Sequence, residues 1–200
     1  MSPQPVSDTS GNVRQRLLDA ALQLFSSKGY AATSVRELVE AAGVTKPVLY
    51  YYFKNKEGLY LALLGDGLAE FHQVAEQARL APGSVRERVC GYCTALLDIF
   101  VGRLPVARLI YAIYYGPPQG APHIDFEASF STMLTHMEQL VNEGISTGEF
   151  RKVDPVDTAW AIVALLNATM EEQFNQTGQV RVDRAGLLRL LSLMFEGIRK

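Results

Sequence analysis

The sequence has no long apolar run and no leader-like beginning. No apolar stretch approaches the roughly 18 residues that a membrane span needs, and the first ten residues are polar and contain proline. The basic start and apolar segment of a secretory signal peptide are therefore missing. We expect a cytoplasmic protein that does not associate with a membrane.

Catalytic and metal-binding motifs are also missing. The three histidines are far apart in the sequence, and there is no Ser/His/Asp spacing, no catalytic paired-carboxylate spacing and no glycine-rich phosphate loop. A zinc site at Cys90 and Cys93 would need two further soft ligands, for which the scattered histidines are the only other candidates. We expect no enzymatic activity, no cofactor and no bound metal.

Cys90 and Cys93 are the only two cysteines, and they form a CxxC pair. Thiol-disulfide exchange favours a first cysteine at the start of a helix, where the dipole lowers its pKa. Here the pair lies more than one turn inside a predicted helix that begins at Ser84. We interpret the two residues as buried and structural, and a thiol-based redox regulator is kept as an alternative.

Charge is distributed unevenly along the chain. From Gly11 to Tyr60 there are seven Lys or Arg residues against four Asp or Glu, and from Leu61 onward there are twelve against sixteen. The overall net charge of −2 therefore combines a basic N-terminal segment with an acidic remainder. A basic patch confined to one segment indicates phosphate binding there and a different task elsewhere.

Residues 34–53 show the pattern of two short helices joined at a glycine. Ser34 and Glu37 have capping-box spacing, and Gly43 stands where a left-handed residue can end the first helix. Thr45 is placed to cap the second helix, with Pro47 in its first turn. This spacing predicts a helix-turn-helix.

In the second helix only Val48, Leu49 and Phe53 suit an inward-facing position, so a lysine and three tyrosines remain for the outer face. Such a face suits a partner that offers phosphates and base edges. The alternative is a small helical hairpin that uses the tyrosines for packing. We expect DNA contacts from ten residues: Ser34, Arg36, Thr45, Lys46, Pro47, Tyr50, Tyr51, Tyr52, Lys54 and Lys56. Phosphate contacts are expected from Lys46, Tyr50 and Lys56, and base contacts from Arg36, Thr45, Lys46, Pro47 and Tyr51.

The continuous stretch from Gly29 to Leu59 resembles the DNA-binding region of the TetR family of transcriptional regulators. Pro47 and Val48 stand where a glycine and a small polar residue are more usual. The resemblance implies an all-α fold, in which a three-helix DNA-binding domain with a helix-turn-helix precedes a larger helical domain for ligand binding and dimerisation. It also implies a homodimer that binds a palindromic operator on double-stranded DNA and responds to a small-molecule effector, most often as a repressor.

The expected domains are a disordered tail over residues 1–10, the DNA-binding domain over 11–57 and the effector and dimerisation domain over 58–200. Phe25, Leu38, Leu49 and Phe53 are expected to form much of the core of the three N-terminal helices. Further along, one long helix is expected from Lys56 towards Leu80.

Aromatic and methionine residues recur on the later helices and suit a pocket for a hydrophobic or aromatic effector. The candidate ligand-binding residues are Phe100, Tyr111, Tyr114, Phe126, Phe130, Met133, Met137, Asn167 and Met170. Ordinary core packing explains the same pattern, so a DNA-binding dimer without an effector is kept as a second alternative.

The last two predicted helices are apolar around most of their circumference. Such helices need either full burial or a second face covered by a partner, and a two-fold contact between subunits satisfies both. The candidate dimer contacts are Trp160, Val163, Leu187, Leu190, Leu191, Met194, Phe195 and Ile198.

Overall fold

The computed structural model describes residues 7–116, 120–175 and 180–198, and its regular elements in these ranges are helices. They are α1 (Ser7–Lys28), α2 (Val35–Ala42), α3 (Lys46–Phe53), α4 (Lys56–Arg79), α5 (Val85–Gly102), α6 (Leu104–Tyr115), α7 (Phe126–Ser146), α8 (Pro155–Glu172) and α9 (Arg184–Ile198). The all-α prediction is confirmed. The predicted disordered tail was wrong for residues 7–10, which form the first turn of α1, and its remainder lies outside the described residues. No helix in the described ranges is long and apolar enough to cross a membrane.

The chain divides into two compact units. Unit 1 contains residues 1–67 and 105–124, and unit 2 contains residues 68–104 and 125–200. The boundary expected between residues 57 and 58 therefore falls inside unit 1, because the first half of α4 belongs to that unit together with α6. Local sequence signals did not indicate that α6 belongs to the same unit as the N-terminal helices, since these segments are distant in the chain.

Unit 1 has a core formed by α1, α2, α3 and the start of α4. The four residues expected to carry it, Phe25, Leu38, Leu49 and Phe53, are all buried. Tyr60 adds a ring that meets Phe25 edge-on at a centroid distance of 5.7 Å. Leu49 and Phe53 therefore anchor one side of α3 in this core.

Unit 2 is built around α5, which packs on α7, α8 and α9. Its apolar face is buried through Val89, Cys93, Leu96 and Leu97. The carboxylate of Glu149 accepts hydrogen bonds from the backbone N–H groups of Val85 (2.8 Å) and Arg86 (2.9 Å). Because both amides lie in the first turn of α5, this carboxylate satisfies two donors that the helix itself leaves unpaired.

Candidate nucleic-acid interface

The start of α2 is held by the predicted capping box. The Ser34 hydroxyl accepts from the backbone N–H of Glu37, and the Glu37 carboxylate accepts from the backbone N–H of Ser34 at 2.8 Å. Lys28 forms an ion pair with the same carboxylate. Hydrogen bonds from Lys28 and then Ser34 lower the pKa of Glu37 to about 2. The Ser34 hydroxyl also donates to Glu37 at 2.7 Å, so this predicted DNA contact is already used within the fold.

The turn between α2 and α3 depends on Gly43. This residue has φ +62° and ψ +40°, the left-handed conformation that favours glycine. Its N–H donates to Glu40 O at 3.1 Å, and Val44 N donates to Val39 O at 2.9 Å, which satisfies carbonyls at the end of α2. The tight turn brings α3 directly after α2, as a helix-turn-helix requires.

The N-terminus of α3 differs from the expectation in one respect. Thr45 occupies the cap position with extended backbone, but its side chain makes no capping hydrogen bond. The predicted cap position of Thr45 is therefore confirmed, but the side-chain hydrogen bond expected of a cap is absent. Pro47 lies in the first turn as predicted, where its missing N–H costs little. Thr45, Lys46 and Pro47 are all exposed at this end of α3.

The predicted outer face of α3 is only partly exposed. Leu49 and Phe53 are buried, whereas Tyr51 is 82% exposed and Tyr50 is 47% exposed. Tyr52 is half-buried, because its ring packs edge-on against Tyr51 at 5.0 Å and lies 6.3 Å from Phe53. Tyr51 is therefore the most accessible ring of this helix.

The turn after α3 is strained. Lys54 has φ +62° and ψ −39°, and Asn55 N donates to Phe53 O at 2.7 Å. This combination is close to the rare form of the γ-turn. The turn also brings Phe53 O to within 2.0 Å of where a Cβ at Gly58 would lie. Only glycine fits at position 58, and Lys54 is left exposed beside α3.

Two other predicted basic contacts, Arg36 and Lys56, differ in their exposure to solvent. Arg36 is exposed and forms an ion pair with Glu40 at 2.7 Å. Lys56 is half-buried, and its ammonium donates to Tyr30 O at 3.0 Å and to Thr33 O at 2.9 Å. Spacing alone did not reveal this use of Lys56. One available signal was that a lysine at the first position of a helix opposes the helix dipole.

Sequence reasoning also passed over two arginines of α1. Arg14 donates to Asp66 at 2.6 Å and lies 5.7 Å from the centroid of the Phe53 ring. Arg16 places a guanidinium nitrogen 3.5 Å from the position that a Cβ at Gly43 would occupy. Arg14 therefore braces the end of α3, and Arg16 brings a cation to the turn between α2 and α3.

The candidate ligand-binding residues fall into both units. Tyr111 and Tyr114 belong to unit 1, where Tyr114 is exposed. The others belong to unit 2. Of these, Phe100, Met133, Met137 and Met170 are buried, and Phe126, Phe130 and Asn167 are half-buried. Their role in holding a ligand stays a prediction.

Five of the eight candidate dimer contacts are buried within the chain's own core: Val163, Leu187, Leu191, Phe195 and Ile198. Periodicity could not separate this burial from burial by a partner, because both require an apolar residue. Trp160 is 53% exposed, and Leu190 and Met194 are half-buried. Leu193, which was not selected, is 70% exposed. The accessible apolar surface of α8 and α9 therefore differs from the predicted set.

The setting of the two cysteines does not favour thiolate chemistry. Cys93 is fully buried and Cys90 is half-buried. Burial raises the pKa of both thiols above the usual value. Since the thiolate is the reactive form, this environment supports the structural interpretation over the redox alternative.

Comparisons with known proteins place these features in context. Residues 17–63 match the family model of bacterial regulatory proteins of the tetR family. The chain is 25% identical to the HTH-type transcriptional repressor KstR2 of Rhodococcus jostii, over 99% of this chain and 98% of that protein. It is 39% identical to the HTH-type transcriptional repressor ComR of Escherichia coli, but that match spans only 45% of this chain and 43% of ComR.

Solved structures share the fold over nearly the whole chain. The TetR family regulator PfmR of Thermus thermophilus aligns with a TM-score of 0.70 at 24% identity, over 92% of this chain and 100% of PfmR. The ketosteroid transcriptional regulator KstR2 of Mycobacterium tuberculosis aligns with a TM-score of 0.70 at 21% identity, over 98% of this chain and 97% of that protein.

Proposed function

This chain belongs to the TetR family of bacterial regulatory proteins, and on that premise we propose that it is a transcriptional repressor. It binds a palindromic operator as a homodimer and leaves the operator when a small hydrophobic or aromatic effector binds. The observation that carries the DNA-binding part is the exposed Tyr51 on a helix that Leu49 and Phe53 anchor in the core.

The α3 helix enters the major groove, where base pairs present distinguishable edges. Tyr51, Lys46 and Thr45 lie on its exposed side or N-terminal end and provide the base contacts, together with Pro47. Lys54 and Tyr50 contact the phosphates on either side, because both are exposed next to that surface. Two such helices, held about 34–36 Å apart in a dimer, engage successive major grooves of a palindrome.

The dimer contact uses the exposed apolar side chains of α8 and α9. Trp160, Val156 and Leu193 are each more than half exposed in the single chain. Large exposed apolar groups on neighbouring elements mark a protein interface more often than an isolated one does. A dimer also makes operator binding depend on the separation between two helix-turn-helix motifs.

The effector binds among the aromatic and methionine side chains of unit 2. Phe126 and Phe130 are half-buried on α7, which also carries the buried Met133 and Met137. The half-buried Asn167 lies on α8, which packs on α7. The description of a structural relative as a ketosteroid regulator supports an apolar effector class. For release, the effector must bind more tightly to the state that does not bind the operator.

The experiment begins by selecting a binding site from a random duplex library with the purified full chain. Binding of wild type, Tyr51→Ala and Tyr115→Ala to the selected site is then measured by fluorescence anisotropy at fixed salt. Tyr115 is the matched control, because it is also an exposed tyrosine of unit 1 (72%) but lies on α6. We expect Tyr51→Ala to weaken the selected site by about 5- to 150-fold, as for the loss of one good base contact, and Tyr115→Ala to bind like wild type.

Equal binding by wild type and Tyr51→Ala would refute the proposed role of α3. The effector arm uses a panel of steroids and fatty acids added to the bound complex. A compound that releases the duplex supports the ligand-responsive repressor, whereas a panel that neither binds nor releases supports the effector-free dimer. Placing the selected site over a promoter in a transcription assay then tests whether binding represses.

A further inference from the structure

Lys56 occupies an electrostatically unfavourable place. It is the first residue of α4, where the N-terminal end of the helix dipole is positive and disfavours a cation. The structure shows what compensates for this. The ammonium of Lys56 donates to the carbonyls of Tyr30 and Thr33 at 3.0 and 2.9 Å, and it lies 4.1 Å from the centroid of the Tyr30 ring.

These contacts occupy the ammonium. A lysine has three N–H donors and no acceptor, and two of the donors are used by the carbonyls. The ring face of Tyr30 takes the remaining side through a cation–π contact. A phosphate at this position would have to displace a carbonyl or the ring, so the expectation of a phosphate contact from Lys56 does not fit the geometry.

The segment that Lys56 holds is the loop between α1 and α2. Thr33 is almost completely buried, and its hydroxyl donates to Gly29 O at 2.8 Å. The next residue, Ser34, is the cap from which α2 starts. The Tyr30 ring in turn lies 5.0 Å from the Tyr60 ring and 5.5 Å from the Phe25 ring. Lys56 therefore connects the start of α4 to the loop that sets where α2 begins.

We propose that Lys56 is a positioning residue of the helix-turn-helix and not a phosphate contact: its ammonium fixes the loop ahead of α2 and thereby the placement of α3. This inference rests on the proposed DNA-binding function and gives one of its predicted contacts a different role. Loss of Lys56 disturbs the fit to the correct sequence, while the number of phosphates neutralised stays the same.

The test compares Lys56→Met with Lys54→Met in the purified chain of residues 1–200. Both variants remove one lysine ammonium, but Lys54 is exposed beside α3 and Lys56 is bound to the loop. The dissociation constant for the selected duplex is measured from low to moderate salt, at a temperature where circular dichroism shows every variant to be fully folded. The logarithm of the association constant falls linearly with the logarithm of the salt concentration, and each lost phosphate contact makes this slope less steep by about 0.9.

We expect Lys56→Met to weaken the selected duplex about tenfold and a random duplex hardly at all, with the wild-type salt slope. Lys54→Met should weaken both duplexes and flatten the slope. Lys56→Gln, which keeps an amide donor but no charge, should recover part of the specific affinity. A flattened slope for Lys56→Met, with equal loss on both duplexes, would overturn the proposal in favour of a direct phosphate contact.

A second measurement does not depend on DNA. Amide hydrogen exchange of residues 31–34 should be faster in Lys56→Met than in wild type, and Lys54→Met should leave it unchanged. Unchanged exchange in Lys56→Met refutes the positioning role, even if the affinity falls. If wild type binds no duplex at all, the proposed function fails, and the exchange result alone then decides whether Lys56 fixes the loop.

Discussion

Replacing Gly144 with alanine tests the packing at the C-terminal end of α7. A Cβ at position 144 would lie 2.3, 2.6 and 3.0 Å from three ring carbons of Phe150. Phe150 is itself buried and stacks on Phe195 at a centroid distance of 5.7 Å. The ring would have to move by about 1 Å to restore an ordinary contact, which costs about 1–3 kcal/mol in a well-packed core.

Helix propensity acts in the opposite direction. Alanine is better than glycine inside a helix by about 1 kcal/mol, and this gain offsets part of the steric cost. Disturbing the stacked rings removes a further 0.5–1.5 kcal/mol, roughly. We therefore expect Gly144→Ala to lower the free energy of unfolding of unit 2 by about 1–3 kcal/mol.

Gly91 provides the matched control. It lies inside α5, also in unit 2, and a Cβ there would meet no atom within 4 Å. Gly91→Ala should consequently raise the stability by about 0.5–1 kcal/mol. Urea unfolding followed by the fluorescence of Trp160, the chain's single tryptophan, reports on unit 2, and protomer concentration must be equal for all variants. If Gly144→Ala is as stable as Gly91→Ala, the close packing of Phe150 on α7 is refuted.

Three further predictions concern stability and thiol reactivity. Leu49→Ala should destabilise unit 1 by about 2–5 kcal/mol, because the side chain is fully buried; a loss below about 1 kcal/mol in amide exchange of unit 1 would contradict this. The pKa of Glu37 is lower in the folded state, at about 2 against a usual 4.5, so its stabilising effect is complete above pH 4.5 and is lost as the pH falls towards 2. Glu37→Gln should therefore be less stable than wild type near neutral pH, and its unfolding free energy should fall less steeply as the pH is lowered from 4.5. The same acid dependence in Glu37→Gln and wild type would count against the Lys28 and Ser34 contacts. Cys93 should resist a thiol reagent at pH 8 until urea is added, whereas rapid reaction of Cys93 in the native protein would support the redox alternative.

The helix-turn-helix was predictable because its signals are local. Ser34 and Glu37 satisfy each other across three residues, and Gly43 has the left-handed conformation that its position in the pattern requires. Thr45 shows the limit of such reasoning. A residue of the right type stood at the right position, yet its hydroxyl makes no capping bond.

The features that sequence reasoning missed are contacts between distant residues. The partners of Lys56 lie 26 and 23 residues earlier in the chain, and no periodic pattern relates such positions. Leu187 and Leu191 of α9 were predicted to be dimer contacts, but they are buried within the chain, whereas Leu193 is exposed. A nearly all-apolar helix gives no periodic contrast that would separate these cases.

The conformation of Lys54 sets two requirements against each other. In the described ranges it is the non-glycine residue with positive φ, and glycine would adopt that backbone without steric cost. A glycine there would favour a more stable fold but would remove an ammonium next to α3. Under the proposed function this lysine contacts the operator phosphates. Affinity for the operator therefore favours lysine at position 54, whereas stability of the fold favours glycine.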